Sequence, residues 1–424
     1  MKLSNQSAVP TSKTSFLSAF KYRNFRYLWF STVGTGTTSA METLLVGWLV
    51  LQLTNSPSLV GIVAACRYAG MASGPFFGAL ADRFDRRRIL ITIRAAAALV
   101  ALLLSVLIFT SVIQIWEIIV LVLLNSLLWS FNQTTFSALA GEVVEGPHLA
   151  SSVSLLIVGL SGMRTVGSLA AGFLYGSIGP QGCFGLISIV YVSTSLLALP
   201  LRLPESGGKV REPILRSFVD GLRYIINARG IAAMALFAAI ANLFIFPTTF
   251  DTLAIFVKNV LNSNATGLGL ILGAESLGSL AGSLICSSLG KSLRKGSLVA
   301  ILMLTWPLLV AGFTLSHTVF AAVLIMALVG VGRGLAMSLI QVLMLAWSPA
   351  KYAGRVMGVR MSVIVMEMLG SMMIGVLAGL WGIAIVMRVA ALLSIAASFV
   401  TILWARELRQ QDRTTPDSIS AQST

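Results

Sequence analysis

The sequence predicts an all-α membrane protein of twelve transmembrane helices, arranged as two pseudo-symmetric bundles of six. Three observations predict it. Apolar residues make up 56% of the 424 and charged residues only 11%, and the apolar residues run in blocks of about 20, enough to cross a hydrocarbon core near 30 Å thick. In lipid such a block must be a helix, because only then are its backbone groups satisfied. One long polar stretch divides the blocks six and six. Landmarks also recur between the halves: Arg86, Arg87 and Arg88 follow the second block, and Arg294 and Lys295 follow the eighth.

The elements follow in order. Residues 1–23 are a polar tail with Lys2, Lys13, Lys21 and Arg23. No small-residue cleavage site follows a short apolar core, so the first block is expected to remain as an anchor. A first bundle, 24–201, holds spans at about 24–53, 57–80, 88–110, 114–137, 149–178 and 182–201. Residues 202–230 form a linker. Within it Leu215, Phe218, Val219, Leu222, Ile225 and Ile226 recur at three and four, with Arg216, Asp220 and Arg223 between them. That pattern predicts an amphipathic helix at the membrane surface. A second bundle, 231–404, holds spans at about 231–258, 265–289, 296–316, 318–346, 354–380 and 382–404, and 405–424 is a polar tail. Glycines inside the spans, such as Gly167 and Gly172, suit close helix approach where no hydrophobic drive acts.

The formal net charge is +15, from 30 Lys and Arg against 15 Asp and Glu. With both termini inside, 23 of the 30 basic residues fall on the inner face, one (Lys258) on the outer, and six Arg within spans. Inverting the chain reverses that ratio, so the termini are expected to be cytoplasmic in a bacterial inner or plasma membrane. Nucleic acid is excluded as a partner: the basic loops are short and lack interleaved aromatics. Cys66, Cys183 and Cys286 are scattered in apolar blocks, and His148 and His317 are the only histidines. No metal spacing results, and no metal or cofactor is expected. A phosphate-binding G-x-x-x-x-G-K-[ST] loop is absent, and no paired groups suit an intramembrane enzyme.

The charges inside the spans carry the functional signal. Arg94 and Arg360 stand near inner ends and Arg388 near an outer end, where long side chains can reach the interface. Arg67, Arg164, Arg333, Glu42 and Glu367 are near mid-span, and Asp251 and Glu275 somewhat outward. Each costs roughly 2.5–3.5 kcal/mol facing lipid, so they must pair or face water. The halves align here as well: Glu42 with Asp251 (209 apart), Arg67 with Glu275 (208) and Arg164 with Glu367 (203). A polar pathway between two repeats explains the alignment; static ion pairs between helices are the alternative for any one residue. Glu42, Glu367, Asp251 and Glu275 are the proton-coupling candidates. Arg67, Arg164 and Arg333 are their charge partners in the cavity.

The segment from Gly78 through Asp82, Arg83 and Asp85 to Arg86, Arg87 and Arg88 resembles the loop signature G-x-L-x-D-R-x-G-R-R of the major facilitator superfamily, and lies between spans 2 and 3 as it does there. Asp85 stands where the broad pattern has Gly. The form resembles that of the enterobactin-exporter and macrolide-efflux-like subgroup. So do Phe25-Arg26 opening span 1, the surface helix Phe218–Tyr224, and Gly354-Arg355-Val-Met-Gly358 opening span 11. The resemblance implies a cytoplasmic gate of Gly78, Asp82, Arg83, Arg86 and Arg87, with Asp82 latching the halves by capping a helix near Gly354 and Arg355. Span 5 partly resembles the antiporter pattern G-x-x-x-G-P-x-x-G-G, with Ser168 in place of its Pro.

Trp48, Trp129, Asn132, Phe246, Met337 and Met361 are the candidates for the substrate cavity. Flexible, polarizable Met suits a surface that accepts varied partners, although for any single apolar residue packing or lipid contact is the simpler reading. The expectation is a monomeric, alternating-access secondary transporter, exporting a small amphipathic molecule such as a drug or siderophore in exchange for protons. An uptake symporter on the same fold and a non-transporting receptor or assembly partner are the alternatives.

Overall fold

The computed structural model describes residues 20–71, 85–140, 149–200, 214–289 and 295–405. The described residues are helical, without strands. The helices are α1 (Arg23–Thr54), α2 (Pro57–Ala69), α3 (Arg86–Phe109), α4 (Ile115–Ala140), α5 (Leu149–Ala198), α6 (Ile214–Asn227), α7 (Arg229–Ile240), α8 (Leu253–Asn259), α9 (Ala265–Ser288), α10 (Lys295–Phe313), α11 (Val319–Ala346), α12 (Ala350–Ser362), α13 (Ile364–Trp381) and α14 (Ile383–Trp404).

Local chemistry sets the boundaries. The Ser56 side chain accepts from Leu59 N, with Pro57 at the first turn of α2. Asp85 accepts from Arg87 N at 2.9 Å and so caps α3. Asn264 and Thr318 cap α9 and α11 in the same way. Each satisfies an N–H that the helix itself cannot.

Nine helices among the described residues are long and apolar enough to cross a membrane. Three of the twelve predicted spans are missing from that number for different reasons. α1 is long enough, at 32 residues, but hydroxyl-rich. Thr32, Thr35, Thr37 and Thr38 return their hydroxyls to carbonyls three or four residues back, which satisfies them within the helix. α2 is described only to Ala69, short of the predicted 80. The predicted spans 149–178 and 182–201 run together as α5, bent at Gly179 (φ 69°, ψ 174°) ahead of Pro180. A side chain disfavours that positive φ, and Pro180 supplies no N–H.

Span 7 is irregular too. After α7 the chain makes wide π-helical turns over Ala241–Ile245 and Pro247–Asp251 before α8 begins. Thr252 N and Oγ1 both bond Pro247 O. Such turns re-aim side chains and mark functional sites in many helices. Here they carry Asp251.

The outward surfaces of α3, α11, α13 and α14 expose Leu99, Phe109, Phe320, Leu380 and Val400, a belt suited to lipid. Between the halves, α2 packs on α13 and α5 on α9. Both contacts are made backbone to backbone. A Cβ on Gly172 would stand 2.8 Å from Gly269 Cα, and one on Gly375 would run into Gly61. Both lie at the end of the molecule where α1 turns into α2. Lys258 Nζ adds bonds to Asn55 Oδ1 (2.7 Å) and Leu51 O (3.2 Å) there. We call this the closed end.

The surface helix is present as α6, docked on α12. Tyr224 stacks on Tyr352 with ring centroids 4.5 Å apart, and Arg355 pairs with Asp220 at 3.4 Å. Val219, Leu222 and Ile226 remain exposed on its other side.

Candidate functional site

A cavity of about 350 Å³ lies between the halves. Arg67, Arg164, Arg333, Arg360, Glu42 and Glu367 line it, with Trp129, Asn242, Phe246, Phe250, Met337 and Met361 among the rest. On the side of the first half, Leu104, Leu121 and Phe184 line it together with Glu42.

Tyr68, the penultimate residue of α2, joins the two halves at the centre. Its hydroxyl lies 3.0 Å from Asp251 Oδ1 and 2.8 Å from Glu367 Oε1. Ser371 Oγ lies 2.6 Å from Asp251 Oδ2 and 2.8 Å from Glu367 O. Arg67 Nη1 is 3.8 Å from Asp251 Oδ1, and its Nη2 donates to Thr43 Oγ1 at 2.7 Å. Hydrogens limit this cluster. Tyr68 has one, and a hydroxyl can donate only once. Both of its contacts are hydrogen bonds only when one carboxyl contributes a proton.

The other acids are held differently. Glu275 on α9 takes Arg333 of α11 in a two-point clasp, Nε to Oε1 at 2.5 Å and Nη2 to Oε2 at 3.2 Å. Both partners belong to the second half, Glu275 is fully buried, and the Arg333 guanidinium lies over the Phe250 ring at 4.9 Å. Glu42 accepts from Asn125 Nδ2 at 2.8 Å inside the first half, with the Tyr191 hydroxyl against it.

The structure thus brings Asp251 and Glu367 together with Arg67 across the halves, and keeps Glu42 and Glu275 within their own. Arg164 is exposed in the cavity, near Arg333. Four expectations need correction. Trp48 is packed into the core and does not line the cavity; its side of α1 faces other helices. Asn132 is buried beside a separate void of about 10 Å³, room for one water. Arg94 does not reach for the interface: it is 2% exposed, bonded to Ser31 Oγ and Thr194 O inside the first half. Arg360 turns into the cavity instead of toward the membrane surface. Of the gate residues, Gly78, Asp82 and Arg83 and the side chain of Arg86 lie outside the described residues, and Arg87 is half-buried at the start of α3.

A census of charges passes over Tyr68, Thr43 and Ser371, since none is charged. The adjacency of Arg67 and Tyr68 within one apolar span is the one signal that could have found Tyr68.

Two helical halves that meet through glycines, around a charged cavity, define a transporter of the major facilitator fold. The sequence matches the family described as "Transmembrane secretion effector" over residues 14–422, and the chain belongs to that family. It is 20% identical to macrolide efflux protein A of Streptococcus pyogenes over 305 residues, 70% of this chain and 74% of that one. Among solved structures, a bacterial homologue of the human lysosomal transporter Spinster, inward-facing and unoccupied, superposes with a TM-score of 0.73. The identity is 13%, over 93% of this chain and 99% of that one. The nucleoside transporter NupG superposes with a TM-score of 0.65 at 15% identity, over 90% of this chain and 98% of that one.

Proposed function

We propose that the chain exports a small amphipathic molecule across the bacterial inner membrane in exchange for protons, by alternating access between a first half (24–201) and a second (231–404). The observation that carries this is the Tyr68 hydroxyl, shared between Asp251 and Glu367 across the halves. An acid pair that shares a proton when the halves meet, and parts from Tyr68 when they separate, couples protonation to movement. The efflux relative supports the direction. With the basic loops inside, the closed end faces outward and the cavity faces the cytoplasm, so the molecule is inward-facing and ready to load. In the opposite state Asp82, with Arg83, Arg86 and Arg87, latches the inner ends. The transporter works as a monomer.

The test uses inverted membrane vesicles and the compound identified by a susceptibility and secretion screen of a strain lacking the chain. Accumulation inside the vesicles, lost with a protonophore and in Glu367→Gln, is the expected result. Accumulation indifferent to both excludes proton coupling, and accumulation only in right-side-out vesicles makes the chain an uptake symporter. No transport, with a phenotype that survives Glu42→Gln, Glu367→Gln and Arg164→Ala, makes it a receptor or assembly partner.

A further inference from the structure

The cavity's cations are not all used. Four Arg and two Glu line it. Arg333 is clasped by Glu275, and Arg67 is held by Thr43 and Asp251. Glu42 and Glu367 are hydrogen-bonded by Asn125 and Tyr68. Arg164 and Arg360 remain. Among the described residues neither has a hydrogen-bonded or ion-paired partner, and the Arg360 Nε is buried with nothing to donate to. One is on α5 and the other on α12, so they come from opposite halves. At about 1.5 Å per residue, Arg164 stands roughly 12 Å from the Gly172–Gly269 closure, and Arg360 roughly 20 Å from the Gly61–Gly375 closure. Arg360 is therefore nearer the mouth and Arg164 deeper.

We propose that the cavity binds an amphipathic oxyanion, a molecule with an apolar body and a carboxylate or phosphate group, with Arg164 as the holding group and Arg360 as the entry group. A guanidinium presents five donors in a rigid fork that matches an oxyanion in two-point fashion. An unpartnered one in a partly dehydrated cavity is a strong attractor. Arg333 beside Arg164 adds to the field and disfavours an ammonium at that depth. Trp129, Phe246, Phe250, Met337 and Met361 supply the apolar wall for the body. The inference names the substrate class of the transport reading above and relies on it only for the cavity being the substrate path.

The experiment is equilibrium binding of three probes to the purified full-length chain in detergent, with no gradient present: a dansyl-labelled undecanoic acid, its methyl ester and the dansyl alkylamine of equal length. The acid is expected to bind at least about tenfold more tightly than either, the scale of a charge-assisted hydrogen bond. Arg164→Gln removes that preference while ester binding, which reports a folded cavity, persists. Arg164→Lys keeps part of it. Arg360→Gln slows association and flattens its salt dependence. An ester or amine that binds as tightly as the acid overturns the proposal, as does an acid-to-ester ratio unchanged in Arg164→Gln. Because no gradient is used, this result stands apart from the vesicle assay: selectivity can fail while Glu367-dependent proton coupling holds, or the reverse.

Discussion

Glu42 and Asp251 are counterparts by position, 209 residues apart in the two halves, yet their surroundings differ. Glu42 is satisfied inside one half, by Asn125 of α4. Asp251 reaches across, to Tyr68 and Arg67 of α2. An acid bonded within a rigid half keeps its partners however the halves move. An acid bonded across the interface must exchange them. Pseudo-symmetry in sequence therefore conserves where a charge sits along the helix, not what it does. Glu275 makes the same point from within the second half, where Arg333 holds it in a clasp that no relative motion of the halves disturbs.

Several substitutions would break or sharpen that contrast. The largest effect on transport is expected at the cross-half acids: Asp251→Asn or Glu367→Gln should abolish proton-driven accumulation. Glu42→Gln should leave most of it, and equal losses at the two places would erase the distinction. For stability the largest effect should fall at Glu275→Gln, since removing one partner of a buried pair typically costs about 3–5 kcal/mol. Thermal unfolding in detergent would show it, and Asp251→Asn should lower Tm less. Gly375→Leu inserts bulk where α13 meets α2. At about 1–3 kcal/mol of overpacking, it should shift the population toward the state open at the present closed end, read as faster labelling of a cysteine placed at Asn55. Lys258→Ala should act in the same direction but weakly, by about 1 kcal/mol or less, because one of its bonds is exposed and the other only part-buried.

Much of the fold was legible because the bilayer imposes it. Span lengths follow from hydrocarbon thickness and backbone satisfaction, and α9, α11 and α14 match the expected 265–289, 318–346 and 382–404 closely. The discrepancies fall where polar groups found internal partners. α1 hides its hydroxyls against its own carbonyls. α5 turns at Gly179 without a loop. The charges were legible as a set, and their pairing was not. Offsets relate equivalent positions of the two halves, such as Arg67 and Glu275, and leave open which charges pair; the structure pairs Arg67 with Asp251 and Arg333 with Glu275. Pairing depends on how helices rotate about their axes and on the π-helical turns before Asp251, and a charge census contains neither. Trp48 and Asn132 were misplaced for the same reason: the right span was read with the wrong face.

The docking of α6 has a mechanical consequence. Tyr224 on Tyr352 and Asp220 on Arg355 fasten this surface helix to the second half. Its exposed Val219, Leu222 and Ile226 suit burial among lipid headgroups. A half that floats on such an outrigger resists tilting, because tilt would drag three apolar side chains into water or push charged ones into hydrocarbon. In the proposed transport cycle that float would make the second half the stator and the first, with no such float among its described residues, the rotor that swings against it.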